Sequence, residues 1–291
     1  MRLSAPAKVN FGLCIVGRRK DGYHLLESLF VPIDLADQIE MEVTDRRPLD
    51  FRVQSEVPGV PEDGTNLAVR AALAFLAEAG IDAGLRLTLA KRIPAAAGLG
   101  GGSSDAGAVL RGLSRIFPAA VSEPRLHELA LGLGADVPFF LDPRPALVTG
   151  IGEEIQAIAG MPAFSLLLAH PGTSLATPDV YEAYDASSAS LTHIRAGSTM
   201  PRILALREGA NHALSELLKN DLEPAAVRLC PRIGELRRVI ETSGALAVGM
   251  SGSGPAVFGI FRDTITASQA RDRSSFAPPV RTWLVNTRRS R

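Results

Sequence analysis

The sequence has few cysteines and no excess of either charge. Its two cysteines, Cys14 and Cys230, cannot form a disulfide framework, and neither has metal-ligand spacing with a histidine. This excludes a disulfide-stapled domain and favours a reducing compartment. Lysine and arginine together number 31, and so do aspartate and glutamate. Because these charges cancel, nothing in the composition favours nucleic acid or an anionic membrane as the main partner, and an anionic ligand would need a local site.

The sequence also lacks an apolar run long enough to cross a membrane. Its longest uncharged stretch, residues 245–261, is interrupted by four glycines, two serines and a proline. The apolar residues 11–17 have no small-residue cleavage site and lead directly into RRKDG, so they do not predict a signal peptide. No repeat or low-complexity block is found. We therefore expect a cytoplasmic protein.

Strand and helix patterns are mixed along the whole chain, which predicts an α+β architecture. A period of two marks residues 8–16 as a strand with one core face, and Thr65 is the expected cap of the clearest helix. Further strands are predicted at 27–33, 37–43, 84–94, 163–172 and 280–286, hairpins at 146–158 and 245–261, helices at 65–80, 103–116, 123–131, 177–184, 211–229 and 232–244 with one more before the last strand, and a disordered tail at 287–291.

Five glycines fall within ten residues of a segment that joins a predicted strand to a predicted helix. Residues 93–110 read IPAAAGLGGGSSDAGAVL. Because glycine costs a regular element about 0.5–1 kcal/mol relative to alanine, such a run indicates a tight turn or a close approach to the backbone. Neither common phosphate-binding motif is complete, since Ser103 replaces both the P-loop lysine and the third glycine of GxGxxG.

The segment nevertheless keeps the physical features of a phosphate site. A strand ends at Pro94, and a helix predicted to begin at Ser103, with Asp105 in its first turn, offers N–H groups and a dipole to an anion. Glycines 100–102 would let phosphate oxygens approach the backbone, and the hydroxyls of Ser103 and Ser104 suit phosphate or a magnesium ion. A flexible loop with Ser103 as an ordinary helix cap fits the same residues.

Four segments resemble the superfamily of galactokinase, homoserine kinase, mevalonate kinase and phosphomevalonate kinase. They are SAPAKVNFGLCIVGRRKDGYHLLESLF, PAAAGLGGGSSDA, LGADVPFFL and MSGSGPAVFGIF, and they span residues 4–261. PAKVN…DGYH together with GADVPFF is similar to the members that phosphorylate 4-diphosphocytidyl-2-C-methyl-D-erythritol in non-mevalonate isoprenoid synthesis.

The resemblance implies the two-domain GHMP kinase fold, which is α+β. Its N-terminal domain resembles ribosomal protein S5 domain 2, and its C-terminal domain is ferredoxin-like. We place the boundary near residue 160. Residues 1–160 are then expected to bind ATP and catalyse, and residues 161–291 to close the substrate cleft between the domains.

The resemblance assigns ATP to residues 94–104, which are called the glycine segment below. The implied ATP-binding residues are Pro94, Ala95, Ala96, Ala97, Gly98, Leu99, Gly100, Gly101, Gly102, Ser103 and Ser104, with Asn66 and Lys91 as candidates for the adenine or ribose side. Asn66 also fits a residue that starts a helix. The turn SGSGP at 251–255 is implied to enclose the substrate near the phosphates, and it also fits a simple hairpin turn.

Two charged residues are implied to be catalytic. Asp136 lies in GADVPFF and would take the proton of the acceptor hydroxyl, while Lys8 would keep that carboxylate ionised and stabilise charge on the reacting oxygens. From the residues alone, Asp136 fits a helix cap or a turn residue. Lys8, with Asn10 on the same strand face, also fits a pair exposed to solvent.

The resemblance further implies a pocket for the cytosine base. His24 would bond the edge of the base, Tyr23 would shape the pocket, and Tyr181 would stack on the other side of the ring; Asn10 would bind the phosphate or hydroxyl region. From the residues alone, His24 also fits a surface histidine and Tyr181 a core aromatic.

The reaction implied is transfer of the γ-phosphoryl group of ATP, with Mg²⁺, to the 2-hydroxyl of 4-diphosphocytidyl-2-C-methyl-D-erythritol. The partner is this small molecule, with no nucleic acid and no membrane, in a monomer or homodimer. Two alternatives remain: a decarboxylase that phosphorylates and then eliminates, and a ligand-sensing relative without turnover. The segment DGYH argues against the first, and the presence of both Lys8 and Asp136 argues against the second.

Overall fold

The computed structural model describes residues 1–44, 49–55, 57–187, 199–210 and 213–288. Strands and helices are mixed throughout, which confirms the α+β class. The elements in chain order are β1 (Arg2–Arg18), β2 (His24–Thr44), β3 (Asp50–Ser55), α1 (Leu67–Glu78), β4 (Gly84–Lys91), α2 (Gly101–Ile116), α3 (Glu123–Leu133), a 3₁₀ helix (Pro138–Leu141), β5 (Ala146–Thr149), β6 (Glu154–Ala157), β7 (Ser165–His170), α4 (Thr177–Asp185), α5 (Thr199–Arg207), α6 (Ala213–Leu217), α7 (Glu223–Leu229), α8 (Arg232–Thr242), β8 (Ala247–Met250), β9 (Val257–Phe261), α9 (Thr264–Arg273) and β10 (Arg281–Asn286).

The chain packs into two compact units whose segments interleave along the sequence. Unit 1 comprises Met1–Ala7, Leu35–Ala95 and Gly100–Pro143, and unit 2 comprises Lys8–Asp34, Ala96–Leu99 and Arg144–Arg291. The predicted boundary near residue 160 is a different division, and it stays a prediction.

Unit 1 is a small sheet covered by helices. The second half of β2 pairs antiparallel with β4, and β3 pairs parallel with β4 on its other edge. Helices α1 and α2 bury their apolar faces against this sheet in one cluster that includes the fully buried Phe75, Leu87 and Leu110. At about 25 cal/mol per Å² of apolar surface, burial of this kind is what holds these elements together.

Unit 2 is built around an antiparallel sheet in the order β10-β7-β9-β8. With helices between β7 and β8 and α9 between β9 and β10, this is a βαββαβ arrangement, as expected for a ferredoxin-like domain. The first half of β2 pairs with β5, which pairs with β6. Phe11 of β1 stacks on Phe258 of β9, with ring centroids 5.7 Å apart.

Two strand predictions were wrong in a way that affects the site. The strands expected at 27–33 and 37–43 are one continuous strand, β2. In β1, every residue from 5 to 15 is buried, so the strand has two buried faces instead of one. The solvent-exposed alternative for Lys8 and Asn10 is therefore wrong, since they are only 4% and 1% exposed.

Three helix predictions also change. Asn66, not Thr65, caps α1, because its side chain accepts the N–H of Ala68. Helix α2 begins at Gly101, two residues earlier than expected, which moves Asp105 out of the first turn. The helix predicted at 211–229 is two helices, α6 and α7, and residues 211 and 212 lie outside the described residues.

The predicted disordered tail is ordered at its start. Thr287 is buried, and its N–H donates to the carbonyl of Phe164. Residues 289–291 lie outside the described part of the chain. Across the described residues, no helix has the length and apolar character needed to span a membrane.

Candidate active site

The glycine segment ends in a helix start that only glycine fits easily. Gly100 precedes α2 with φ 68° in the left-handed region, and it has no side chain that could cap the helix. A Cβ on Gly101 would lie 3.0 Å from Nζ of Lys91 and from a methyl carbon of Ile93. The first N–H groups of a helix have no intrahelical acceptors, so the start of α2 has the properties of an anion site.

The two serines at this helix start differ in burial. Ser104 is fully buried, and its hydroxyl donates to the carbonyl of Pro6 at 2.7 Å, which gives it a structural role. Ser103 is half-buried. Of the two hydroxyls proposed for phosphate or magnesium, Ser103 is therefore the one that the local packing favours.

Lys91 is a buried residue next to Gly101 and belongs to a group of charged side chains. Its ammonium donates to Asp37 at 2.5 Å and to Asp105 of α2 at 2.7 Å. Desolvation lowers the pKa of Lys91, but the two carboxylates raise it by more, and the ammonium form is retained. Desolvation raises the pKa of Asp105, and the attraction of Lys91 opposes this rise.

Two residues predicted for the adenine or ribose side thus have structural contacts. Lys91 holds two carboxylates, and Asn66 caps α1 while its amide also donates to the carbonyl of Pro61 at 2.8 Å. The helix-start alternative for Asn66 is confirmed. Their contact with ATP stays a prediction.

Asp136 lies half-buried in a turn between α3 and the 3₁₀ helix. Val137, not Asp136, is the N-terminal cap position of the 3₁₀ helix, so the helix-cap alternative for Asp136 is wrong. Helix α2 holds this region tightly: Arg111 donates to the carbonyl of Phe140, and a Cβ on Gly107 would lie 2.6 Å from Cβ of Phe140. One helix of unit 1 therefore begins at the glycine segment and braces the region that carries Asp136.

In unit 2, Lys8 and Asn10 belong to a buried polar cluster. Nζ of Lys8 donates to Oδ1 of Asn10 at 2.5 Å and lies 4.5 Å from the ring centroid of Phe30. The amide of Asn10 donates to Ser28 at 2.9 Å, and Ser28 donates to the carbonyl of Gly12 at 2.5 Å. Because buried polar groups need partners, this cluster fixes both side chains in place.

The SGSGP turn between β8 and β9 contacts the first part of the glycine segment, within unit 2. Oγ of Ser251 donates to the carbonyl of Gly98 at 2.8 Å and accepts the N–H of Asn10 at 3.2 Å. Gly98 has φ +72°, and a Cβ there would lie 2.0 Å from the carbonyl oxygen of Ser251. The turn thus does more than close a hairpin, because it also holds Gly98.

The predicted base pocket is partly assembled in unit 2. The rings of His24 and Tyr181 are stacked directly, with centroids 4.9 Å apart, and Nε2 of His24 is 2.8 Å from Asp185. Tyr181 packs against the core of unit 2, so its core alternative holds in part. Tyr23 is 61% exposed, with the guanidinium of Arg19 over its ring. The prediction placed His24 and Tyr181 around a cytosine ring, whereas here the two side chains stack on each other. Their contact with a cytosine base stays a prediction.

Among the described residues there is no metal cluster, and a surface pocket lies in unit 1. Within the described residues, no three His, Cys, Asp or Glu side chains are placed to hold a metal ion. A surface pocket of about 430 Å³ in unit 1 lies between α1 and α3 and is lined by Arg70, Leu73 and Leu133 among others. None of the motif residues lines it, so we do not assign it to the reaction.

Comparison with known families finds two matching domain models. The model of the GHMP kinases N terminal domain matches residues 66–142, and the model of the GHMP kinases C terminal domain matches residues 203–276. A 4-diphosphocytidyl-2-C-methyl-D-erythritol kinase of Geobacter sulfurreducens is 42% identical over 286 residues, which is 97% of this chain and 99% of the relative. This chain belongs to the GHMP kinases.

Solved structures of two kinases share the fold. The crystal structure of a 4-(cytidine 5'-diphospho)-2C-methyl-D-erythritol kinase superimposes with a TM-score of 0.79 at 37% identity, covering 99% of both chains. A homoserine kinase from Cytophaga hutchinsonii has a TM-score of 0.78 at 18% identity, covering 99% of this chain and 94% of its own, and shows the fold alone. The family and fold predicted from the motifs are confirmed.

Some residues of this GHMP kinase were missed by the sequence reasoning. Asp37 was not singled out, because a single aspartate in a strand pattern carries no local signal. Gly107 and Arg111 lie in what looks like ordinary helix. Ser251 was included only as part of a turn, although the run of glycine and serine was a usable signal.

Proposed function

We propose that this GHMP kinase transfers the γ-phosphoryl group of ATP to the 2-hydroxyl of 4-diphosphocytidyl-2-C-methyl-D-erythritol. The observation that carries the proposal is α2, which starts at the glycine segment and braces the region of Asp136. Relatives of nearly full length that are about two-fifths identical are named for this activity. The product would be the 2-phosphate, an intermediate of non-mevalonate isoprenoid precursor synthesis.

The proposed phosphate site consists of main-chain N–H groups at the start of α2. Gly100 has no side chain that could cap these N–H groups, and the helix dipole favours the negative triphosphate there. Mg²⁺ is a hard cation that binds oxygen and usually accompanies the phosphates of ATP. The half-buried hydroxyl of Ser103 fits such an ion, which would neutralise charge on the phosphates.

The proposed chemistry uses one base and one cation. Asp136 accepts the proton of the 2-hydroxyl as its oxygen bonds to the γ-phosphorus and the bond from that phosphorus to ADP breaks, and ADP leaves. Lys8 stabilises negative charge on the reacting oxygens. The transition state of phosphoryl transfer is loose, so the position of the groups matters more than the strength of the base. The rigid bracing around Phe140 and the bonded Lys8–Asn10 pair support this emphasis on position.

The acceptor is proposed to lie against Asn10 and the aromatic group of Tyr23, His24 and Tyr181. Stacking and edge-on hydrogen bonding suit a cytosine ring, and the stacked pair supplies an aromatic face with a nitrogen beside it. The proposed partner is this small molecule, and the proposed assembly is a monomer or a homodimer. We place the enzyme in the cytoplasm, where its ATP is found.

An exposed glycine allows a sharp test of the phosphate site. Gly102 is the second residue of α2, and the nearest atom to an added Cβ would be a Leu67 carbon at an ordinary 3.4 Å. In Gly102→Asp the new carboxylate favours the helix dipole but repels phosphate. We expect the KM for ATP to rise at least tenfold without loss of stability.

The matched control places the same charge in the first turn of another helix. Gly234 lies in the first turn of α8, in unit 2, with the nearest atom to an added Cβ at 3.5 Å. Gly234→Asp should leave the KM for ATP unchanged. If Gly102→Asp also leaves it unchanged, the glycine segment does not bind the phosphates.

Acceptor identity is tested by ADP release with three mixtures: the cytidylyl substrate, a mevalonate-type acid, and no acceptor. The proposal predicts release only with the cytidylyl substrate. Release with the acid would instead favour the decarboxylase alternative. ATP binding without any release would favour the ligand-sensing alternative.

A further inference from the structure

Asp37 is a fully buried carboxylate that bonds to the chain just before the glycine segment. It lies on β2 in unit 1 with 0% exposure. Its Oδ1 accepts the N–H groups of Arg92 at 2.5 Å and Ile93 at 2.9 Å, the two residues between β4 and Pro94. Its Oδ2 accepts the ammonium of Lys91 at 2.5 Å.

The same carboxylate is linked to the far end of the glycine segment. The ammonium of Lys91 also donates to Asp105 in the second turn of α2, at 2.7 Å. That ammonium lies against the first helical residue, since it would be 3.0 Å from a Cβ on Gly101. Asp37 therefore contacts directly the two residues that precede the glycine segment. It is linked to the helix that follows the segment through Lys91.

Burial makes this arrangement hard to replace. A buried carboxylate without a cation is strongly disfavoured, and hydrogen bonds to charged groups are the stronger ones in a protein interior. Asp37 receives two N–H donors and one ammonium. The backbone before the glycine segment and helix α2 after it are thus joined through the charged hydrogen bonds of Asp37 and Lys91.

We propose that Asp37 is a positioning residue for ATP, which sets the geometry of the glycine segment through Lys91 and the N–H groups of Arg92 and Ile93. This inference rests on the proposed binding of ATP phosphates by that segment. Asp37 touches neither substrate itself. Replacement of Asp37 should weaken the binding of ATP and leave the binding of the other substrate unchanged, because the residues that Asp37 holds all adjoin the glycine segment.

Asp37→Asn is the main variant. The amide keeps an oxygen for the two backbone donors but directs an NH₂ group at the ammonium of Lys91, so the link to α2 is broken. We expect the KM for ATP and the dissociation constant of a non-hydrolysable ATP analogue, measured by calorimetry, to rise at least tenfold. The KM for the cytidylyl substrate should change less than twofold.

A second variant keeps the test decisive if Asp37→Asn does not fold. In Asp105→Asn the amide oxygen can still accept from Lys91, and Asp37 keeps all of its contacts. We expect a smaller rise of about threefold in the dissociation constant of the ATP analogue. The KM for the cytidylyl substrate should again be unchanged, a split that loss of stability alone would not produce.

The stability control is another partly buried ion pair. Arg237 of α8 contacts Glu223 of α7 at 2.9 Å, and the Glu223 side chain is 15% exposed. Glu223→Gln should lower the midpoint of urea unfolding without changing either KM. An ATP effect of Asp37→Asn and Asp105→Asn no larger than that of Glu223→Gln would overturn the inference.

Gly102→Asp separates this inference from the proposed function. If Gly102→Asp weakens the binding of the ATP analogue and the two aspartate variants do not, the glycine segment binds ATP but Asp37 does not position it. If Gly102→Asp has no effect, the glycine segment is not the phosphate site, and the inference fails with it.

Discussion

Gly107→Ala should lower turnover because it pushes apart two elements that meet at their backbones. Gly107 lies in α2, and an added Cβ would lie 2.6 Å from Cβ and 2.9 Å from the carbonyl carbon and oxygen of Phe140. Phe140 is fully buried in the 3₁₀ helix that follows Asp136. The methyl group cannot be accommodated by a side-chain rotation, so the 3₁₀ helix must move.

The size of that movement follows from the contact distances. Carbon atoms that are not bonded prefer about 3.5–4.0 Å, so contact at 2.6 Å requires a shift of roughly 1 Å. Overpacking of this kind costs about 1–3 kcal/mol, and the better helix propensity of alanine returns about 1 kcal/mol. We therefore expect a net loss of about 0–2 kcal/mol in the free energy of unfolding.

The effect on catalysis should be larger than the effect on stability. A misplacement of about 1 Å at a reacting group can cost on the order of a hundredfold in rate. We expect kcat to fall by about that factor, with the KM values for ATP and acceptor nearly unchanged. The assay is steady-state ADP release at saturating concentrations of both substrates.

Gly132→Ala is the matched control. Gly132 lies in α3 with no atom within 4 Å of an added Cβ, so alanine should raise stability by up to about 1 kcal/mol and leave kcat unchanged. A folded Gly107→Ala enzyme with the kcat of the unmodified enzyme would refute the reasoning, because it would show that the region of Asp136 tolerates the shift.

Three further outcomes are expected. Asp136→Asn should lower kcat far more than it raises either KM, and an unchanged kcat would remove Asp136 from the mechanism. Gly98 has φ +72°, and an added Cβ would lie 2.0 Å from the carbonyl oxygen of Ser251. Gly98→Ala should therefore lower the free energy of unfolding by about 2 kcal/mol and raise the KM for ATP. A stable variant with a normal KM would contradict the role of the turn. Burial lowers the pKa of His170 to about 4 from 6.5, so the unfolded chain takes the proton first and stability should fall by up to about 3 kcal/mol as the pH drops through that window. Urea unfolding at several pH values should show a smaller loss of stability at low pH in His170→Gln than in the unmodified protein.

Local patterns predicted most elements but not their surroundings. The alternation at residues 8–16 identified β1, yet it could not show that both faces are buried, because that depends on what packs on the polar face. The start of α2 was placed two residues late, since a left-handed Gly100 can begin a helix without a capping side chain. Thr65 and Asn66 both fit as a cap, and only the bond to Ala68 decides between them.

The motifs of the candidate site were predicted from the sequence, but the contacts that hold their residues in place were not. The glycine segment was proposed from its run of glycines, and Lys8 and Asp136 were proposed from the resemblance to a family. Lys91 was also found, but its partners Asp37 and Asp105 lie 54 and 14 residues away, at separations that no local pattern reports.

The order of residues alone determined the class of fold and the family, and it indicated the segment that we propose to hold phosphate, because glycine runs, alternation and motif spacing act through neighbours in the chain. Which charges are buried together, and which carbonyl meets Ser251 or Arg111, was decided only when distant elements packed. The energy of a buried charge depends on every atom around it in space, and a linear sequence does not specify those atoms until the chain is folded.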